Sequence, residues 1–202
     1  LTTKYSNKTL ISVTKPQKIL AIDASTNSMA FSYFESGKLI SYGKIRFVGA
    51  DAFYKAGDAC KKSIPFFKAI KADAMVIESA IYSNSPKTAM QLSLVQGAII
   101  SAAHIAGIKI LKSITPMQWQ NHIGNRLLTK TEKAEIQRKT PGKSKSWYKS
   151  KERETRKNKT IDAVYNQFKV VIEDDDVADA VGIGWYVSDR WNSMFEDGVE
   201  DA

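Results

Sequence analysis

Two short apolar runs, each closed by an acid, constrain this chain more than any other feature. Lys18-Ile19-Leu20-Ala21-Ile22 runs into Asp23, and Ala74-Met75-Val76-Ile77 runs into Glu78. Such runs have the length of buried strands and are too short for core helices. A carboxylate at the end of a buried strand costs solvation unless something positive meets it. Glu is poorly favoured in strands, and Glu78 has no neighbouring Lys or Arg in sequence to explain it. A third acidic element, Asp174-Asp175-Asp176-Val177-Ala178-Asp179-Ala180, reads as a helix. There the spacing of three sets Asp176 and Asp179 on one face, with Cβ atoms ~5–6 Å apart. Hard oxygen donors gathered from such elements suit Mg²⁺ or Mn²⁺.

Each acid also has a plainer reading. Asp23 can cap the turn that follows its strand. Asp174 to Asp176 can be a solvated helix start whose charge complements the helix dipole. That account serves Asp174 and Asp175 well. It serves Asp179 less well, because Asp179 lies among Ala178, Ala180 and Val181 on a face fit for packing.

The remaining pattern predicts a mixed-sheet α/β layer fold. Strands are expected at 18–24, 29–34 and 39–47, the latter two joined through the turn signal Ser36-Gly37. Phe53, Gly57, Cys60, Ile64 and Phe67 recur at helical spacing, and Pro65 should kink or end that helix near its last turn. Ser85-Pro86 opens a helix expected over 86–106, with Met90, Leu94, Ile99 and Ala103 turned inward. A strand at 108–111 follows, then a short helix from Thr115-Pro116 that stops near Gly124. Ile161, Val164, Tyr165 and Phe168 predict an amphipathic helix, and a final helix is expected over 176–191. His104 reads as a satisfied core residue. The expected division is an extension at 1–17, one domain at 18–191 and an acidic tail at 192–202.

With 202 residues, 43% of them hydrophobic, the chain suits a single domain with a full core. One cysteine rules out an internal disulfide, and two histidines with it argue against structural zinc. No apolar stretch is long enough to span a membrane, and the polar residues 1–16 lack the apolar core of a signal peptide. The expected location is cytoplasmic. The net charge of +9 is concentrated: residues 126–160 hold thirteen Lys or Arg against four Asp or Glu, leaving seventeen of each sign elsewhere. This segment interleaves cations with aromatics at Lys143-Ser144-Lys145-Ser146-Trp147-Tyr148, as nucleic-acid surfaces do. Lys130, Lys133, Arg138, Lys139, Lys143, Lys145, Lys149, Lys151, Arg156 and Lys159 are its candidate phosphate contacts. A passive, solvated helix is the alternative.

Taken together, these blocks resemble the RuvC-like Holliday-junction resolvases of the RNase H-like superfamily. The resemblance rests on Ile19 to Ser25, then Val76-Ile77-Glu78 with Tyr82, Asn84, Met90-Gln91-Leu92 and Gln96-Gly97. Thr115-Pro116 with Gly124-Asn125 and Asp176-Val177-Ala178-Asp179-Ala180-Val181-Gly182-Ile183 complete it. It covers about 18–125 and 160–187. It implies an RNase H-like mixed sheet flanked by helices, with 126–160 as a basic DNA-binding insertion before the last helices. It further implies that Asp23, Glu78, Asp176 and Asp179 are a catalytic, metal-binding tetrad, holding two Mg²⁺ ions for which Mn²⁺ can substitute. The implied partner is branched DNA, above all the four-way junction, cut by a homodimer. The family's aromatic three residues after the glutamate is replaced here by Ile81, with Tyr82 next to it. Lys130, Lys133 and Lys159 all stand open as a catalytic lysine. The basic insertion is closer to phage-type members.

Two metal ions ~3.5–4 Å apart can activate water, neutralise the phosphate and stabilise the leaving oxygen, leaving 5′-phosphate and 3′-hydroxyl ends. Tyr82, with Trp147 or Tyr148, is suited to stack on unpaired bases. Ile19 to Asn27 also resembles the first phosphate block of actin-like kinases and ATPases, but 11 glycines and no GxxxxGK[ST] loop leave that reading little support. A non-catalytic binder of branched nucleic acid is the third reading, against which the presence of all four acids argues.

Overall fold

The computed structural model describes residues 14–79 and 85–193. The apolar run at Lys18–Ala24 forms β1, and Ala74–Glu78 forms β4. They lie side by side in parallel, Ile19 against Ala74 through Ile22 against Ile77. Central parallel strands are covered on both faces, which is why both runs are continuously apolar rather than alternating. β2 (Ser28–Glu35) and β3 (Lys38–Arg46) extend the sheet antiparallel on one side. β5 (Ile110–Ile114) extends it parallel on the other, giving the order β3-β2-β1-β4-β5.

Strand alternation divides the core. Leu20, Ile22, Met75 and Ile77 pack with α1 (Ala52–Ile70) and α2 (Pro86–Ile105). Ile19, Ala21, Ala74 and Val76 pack beneath α3 (Pro116–His122), the end of α5 (Lys145–Phe168) and α6 (Asp175–Arg190). α4 (Lys130–Lys139) precedes α5. α6 approaches the sheet closely because Gly184 presents no side chain. A Cβ there would stand 2.6 Å from Ser32 Oγ and closer still to the Phe34 ring. The Ser32 hydroxyl uses that proximity to donate to the Ala180 carbonyl at 2.7 Å, in full burial. The acidic helix is thus pinned to β2.

Several local expectations are corrected. Pro65 lies inside α1, which runs on to Ile70. Proline removes one backbone hydrogen bond, and buried Phe67 beyond it holds the last turn against the sheet. α2 turns Val95, Ile99, Ala102 and Ala103 inward, whereas Met90 and Leu94 face out, and so does His104. The helix phase is set by its packing on α1 and the sheet, which the early residues of the apolar pattern misreport. The strand expected at 108–111 sits two residues later. The basic stretch forms α4 and most of α5, and α5 continues through residue 160 to bury Val164 against α6.

Candidate active site

Asp23 stands one residue beyond the last paired position of β1 with β4, and Glu78 closes β4. The parallel register therefore sets the two carboxylates on adjacent strands at the same end of the sheet. Asp176 and Asp179 enter from α6, which crosses the face that Ile19 and Ala21 share with Asp23. Four acids from two strands and one helix converge, although they are up to 156 residues apart in sequence.

Their mutual electrostatic influence shows the convergence. The Asp23 carboxyl is pushed up to about 7, first by burial, then by the charges of Asp179 and Asp176, with Lys44 acting in the opposite sense. Glu78 is also raised to about 7 by burial and by Asp23, while a hydrogen bond from Trp119 and the charge of Arg156 pull it down. Asp179 reaches about 7 through burial, opposed by the Thr160 hydroxyl and reinforced by Glu78, Asp175 and Asp176. Carboxyls so displaced mark a site short of positive charge.

The surrounding side chains hold these acids in place. The Trp119 indole N–H donates to Glu78 Oε2 at 2.6 Å, and the Gln96 amide donates to the Glu78 carbonyl at 2.9 Å. Asp174 is the N-cap of α6, accepting from the amides of Asp176 and Val177. Lys44 bridges Asp174 and Asp176, and Lys157 pairs with Asp175. Asn125 donates to Thr160 Oγ1 at 2.8 Å and to the Arg156 carbonyl at 2.9 Å. The Arg156 guanidinium donates to Gln120. It borders both the cleft at Asp179 and the cleft at Glu78. Arg156 Nε and Asn125 Oδ1 are buried there without a hydrogen-bond partner among the described residues.

These residues fit a hard divalent cation. The donors are all carboxylate oxygens, three of them raised towards neutrality by burial and mutual repulsion, which a cation would reverse. Among the described residues, the three acids whose oxygens already lie within 4.8 Å of one another are Asp174, Asp175 and Asp176. Lys44 and Lys157 neutralise that trio. Asp23, Glu78 and Asp179, whose carboxyls are raised, carry the charge that this pairing leaves uncompensated.

The basic candidates divide into two groups. Lys133, Lys143, Lys145 and Lys149 line a groove between α4 and α5, together with Tyr148. Lys133 pairs with Glu152 at 3.1 Å, Lys139 with Glu135 at 2.7 Å, Lys151 with Glu154 at 2.7 Å and Lys159 with Glu132 at 2.6 Å. Lys130 and Arg138 are exposed on α4. Trp147 meets Tyr148 edge-on at 5.4 Å, and the Tyr148 hydroxyl donates to the Thr140 carbonyl at 2.6 Å. Of these basic candidates, Arg156 lines the clefts at Asp179 and Glu78. Tyr82 and Asn84 lie outside the described residues. Sequence reasoning missed Lys44, Trp119 and Gln120 as neighbours of the acids. Lys44 is 130 residues from Asp174, and nothing local in its strand announces the pairing.

Three parallel strands flanked by an antiparallel hairpin, with helices on both faces, make an RNase H-like fold. The chain has the RuvC-like form of that fold. Thermus thermophilus RuvC in complex with a Holliday-junction substrate superposes with a TM-score of 0.63 at 13% identity, covering 88% of this chain and 97% of that one. A second Thermus thermophilus RuvC structure gives 0.60 at 13% identity, covering 87% and 96%. No protein-family profile and no curated protein matches the sequence. No helix among the described residues is long and apolar enough to cross a membrane.

Proposed function

We propose that this chain is a metal-dependent endonuclease that cuts branched DNA, with the four-way junction as its preferred substrate. The observation that carries the reading is the convergence of three half-buried carboxyls, all displaced towards neutrality, beside a cationic helix. A fold shared with a RuvC described in complex with a Holliday junction substrate supports it. Asp23, Glu78, Asp176 and Asp179 would hold divalent cations, Mg²⁺ in the first instance with Mn²⁺ substituting. Bound there, such ions supply the activated water and charge neutralisation that phosphodiester hydrolysis needs.

The chain's own groups divide the remaining work. Trp119 and Thr160 orient Glu78 and Asp179 by hydrogen bonds made to their charged forms. Arg156 presents a guanidinium to the scissile phosphate, the role that sequence left open among Lys130, Lys133 and Lys159. Its unpartnered Nε and its place beside both Glu78 and Asp179 support that assignment. The lysines of the α4–α5 groove grip backbone phosphates, which confers affinity with little sequence choice. Residues 18–191 form the nuclease domain, and 126–160 its DNA-gripping insertion. A homodimer matches the two-fold symmetry of the junction, and cutting leaves 5′-phosphate and 3′-hydroxyl ends.

The test is an end-labelled four-way junction beside a matched linear duplex, with Mg²⁺, Mn²⁺ or EDTA and an Asp179→Asn control. Paired nicks in the junction that vanish with EDTA and in the variant are expected. Tight junction binding without cutting under any metal would favour the binding-module reading instead.

A further inference from the structure

Among the described residues, Lys44 forms a direct ion pair with a member of the four-acid set, Asp176, and no role in the proposed reaction accounts for it. Asp23 pairs across to Ala30 of β2, and Ala30 pairs across to Lys44 of β3. The three residues form one row, so Asp23 and Lys44 emerge on the same face, two strand spacings apart. From there Lys44 Nζ reaches Asp176 Oδ2 at 2.5 Å and both oxygens of Asp174 at 2.9 Å. Its charge also acts on Asp23.

We infer that Lys44 is a resident cation that occupies the Asp176 corner of the site and yields it to the metal by falling back on Asp174. The inference rests on the metal site proposed above. Asp176 Oδ2 cannot keep a 2.5 Å ion pair and also face a dication, since the two positive charges would then repel across a half-buried gap. Asp174 supplies a second seat for the ammonium, already bonded through both oxygens and set one turn edge away at the N-cap of α6. Lys44 is therefore a positioning residue. It balances Asp176 and Asp23 when the metal is absent and sets the cation concentration at which the site fills.

The opposite reading is that Lys44 only fastens β3 to the start of α6. The two differ in sign. A mere fastener, once removed, leaves Asp176 loose and weakens metal binding; a competitor, once removed, strengthens it.

The experiment is Mn²⁺ binding to the full chain, followed through free Mn²⁺ by electron paramagnetic resonance, with thermal unfolding of the metal-free protein alongside. Lys44→Met should bind Mn²⁺ about tenfold more tightly and melt lower when metal-free, with saturating Mn²⁺ closing the gap. Lys44→Arg should bind like the wild type. Asp174→Asn keeps an N-cap side chain but weakens the second seat, so it should bind Mn²⁺ severalfold more weakly; it decides the matter if Lys44→Met does not fold. Equal or weaker binding by Lys44→Met, or unchanged binding by Asp174→Asn, overturns the inference alone. A wild-type chain that takes up no Mn²⁺ overturns it together with the metal site.

Discussion

The indole of Trp119 donates its N–H to Glu78 at 2.6 Å while its ring lies fully buried under α6. One side chain thus joins the packing of the core to the charge state of a candidate metal-binding acid. Gly182 makes room for it, since a Cβ at that position would stand 2.8 Å from the ring. Replacing Trp119 by Phe removes the donor and leaves a void. Unfolding in urea should show a loss of about 2 kcal/mol. With the donor gone, Glu78 rises further above its ordinary range, so the pH at which Mn²⁺ binds half-maximally should move upward.

Metal-free stability should fall as pH rises. Asp23, Glu78 and Asp179 have folded-state values of about 7 against ordinary values of 3.8 to 4.5. Between those limits the folded chain holds more protons than the unfolded one, so each pH step upward favours unfolding. The stability present below about pH 4 is lost progressively up to about pH 7 and is level beyond it. Denaturant titrations in EDTA from pH 4.5 to 8 would show this slope. Saturating Mg²⁺ should abolish or invert it, because the metal displaces the same protons.

Asp179→Asn should abolish cutting while junction affinity persists. The variant also removes a half-buried charge that Glu78, Asp175 and Asp176 repel. Its metal-free form should therefore melt above the wild type at pH 8, where the wild-type acid is ionised. Differential scanning calorimetry in EDTA reads this directly. A lower melting temperature would mean that Thr160 stabilises Asp179 more than its neighbours repel it.

Gly184→Ala should be costly far from any charge. The new methyl would meet Ser32 Oγ at 2.6 Å and the Phe34 ring more closely, so α6 must lift. A destabilisation of about 3 kcal/mol is expected from overpacking. The Ser32–Ala180 bond stretches with it, and Asp176 and Asp179 move with the helix. Chemical denaturation and Mn²⁺ affinity should fail together.

The two groups of cations should separate in kinetics. Arg156→Gln should lower single-turnover cleavage at saturating protein by about a hundredfold, in the range of a lost transition-state donor, with little change in junction affinity. Lys143, Lys145 and Lys149 replaced by Gln should weaken binding and flatten its dependence on salt by ~0.9 for each lost phosphate contact. Cleavage at saturation should survive in that triple variant. Filter binding across a salt series and quenched-flow cleavage distinguish the two.

The strands ending in Asp23 and Glu78, and the helix carrying Asp176 and Asp179, were legible from the chain because their signals are local. An apolar run has the length of a buried strand, a spacing of three has the period of a helix, and an acid at the end of either is conspicuous. The helical starts at Ser85 and Thr115 were legible for the same reason, since their caps lie within three residues. Where the pattern was weaker it misled. The outward turn of Met90 and Leu94 depends on which face of α2 meets α1, and no single stretch of sequence contains that partner.

The same division runs through the site. Composition and spacing were enough to nominate four acids and a cationic segment, because charge and periodicity are properties of the chain itself. Which cation meets which acid was settled only by folding. Strand pairing sets Lys44 in a row with Asp23 and brings it to Asp174 and Asp176. Close packing of α6 through Gly184 seats those acids over the sheet. α5 turns Arg156 inward to Gln120 and leaves Lys143, Lys145 and Lys149 on the groove. Electrostatic partnership falls off over a few ångströms of space, whatever the distance along the chain, so it becomes definite only when the tertiary structure does.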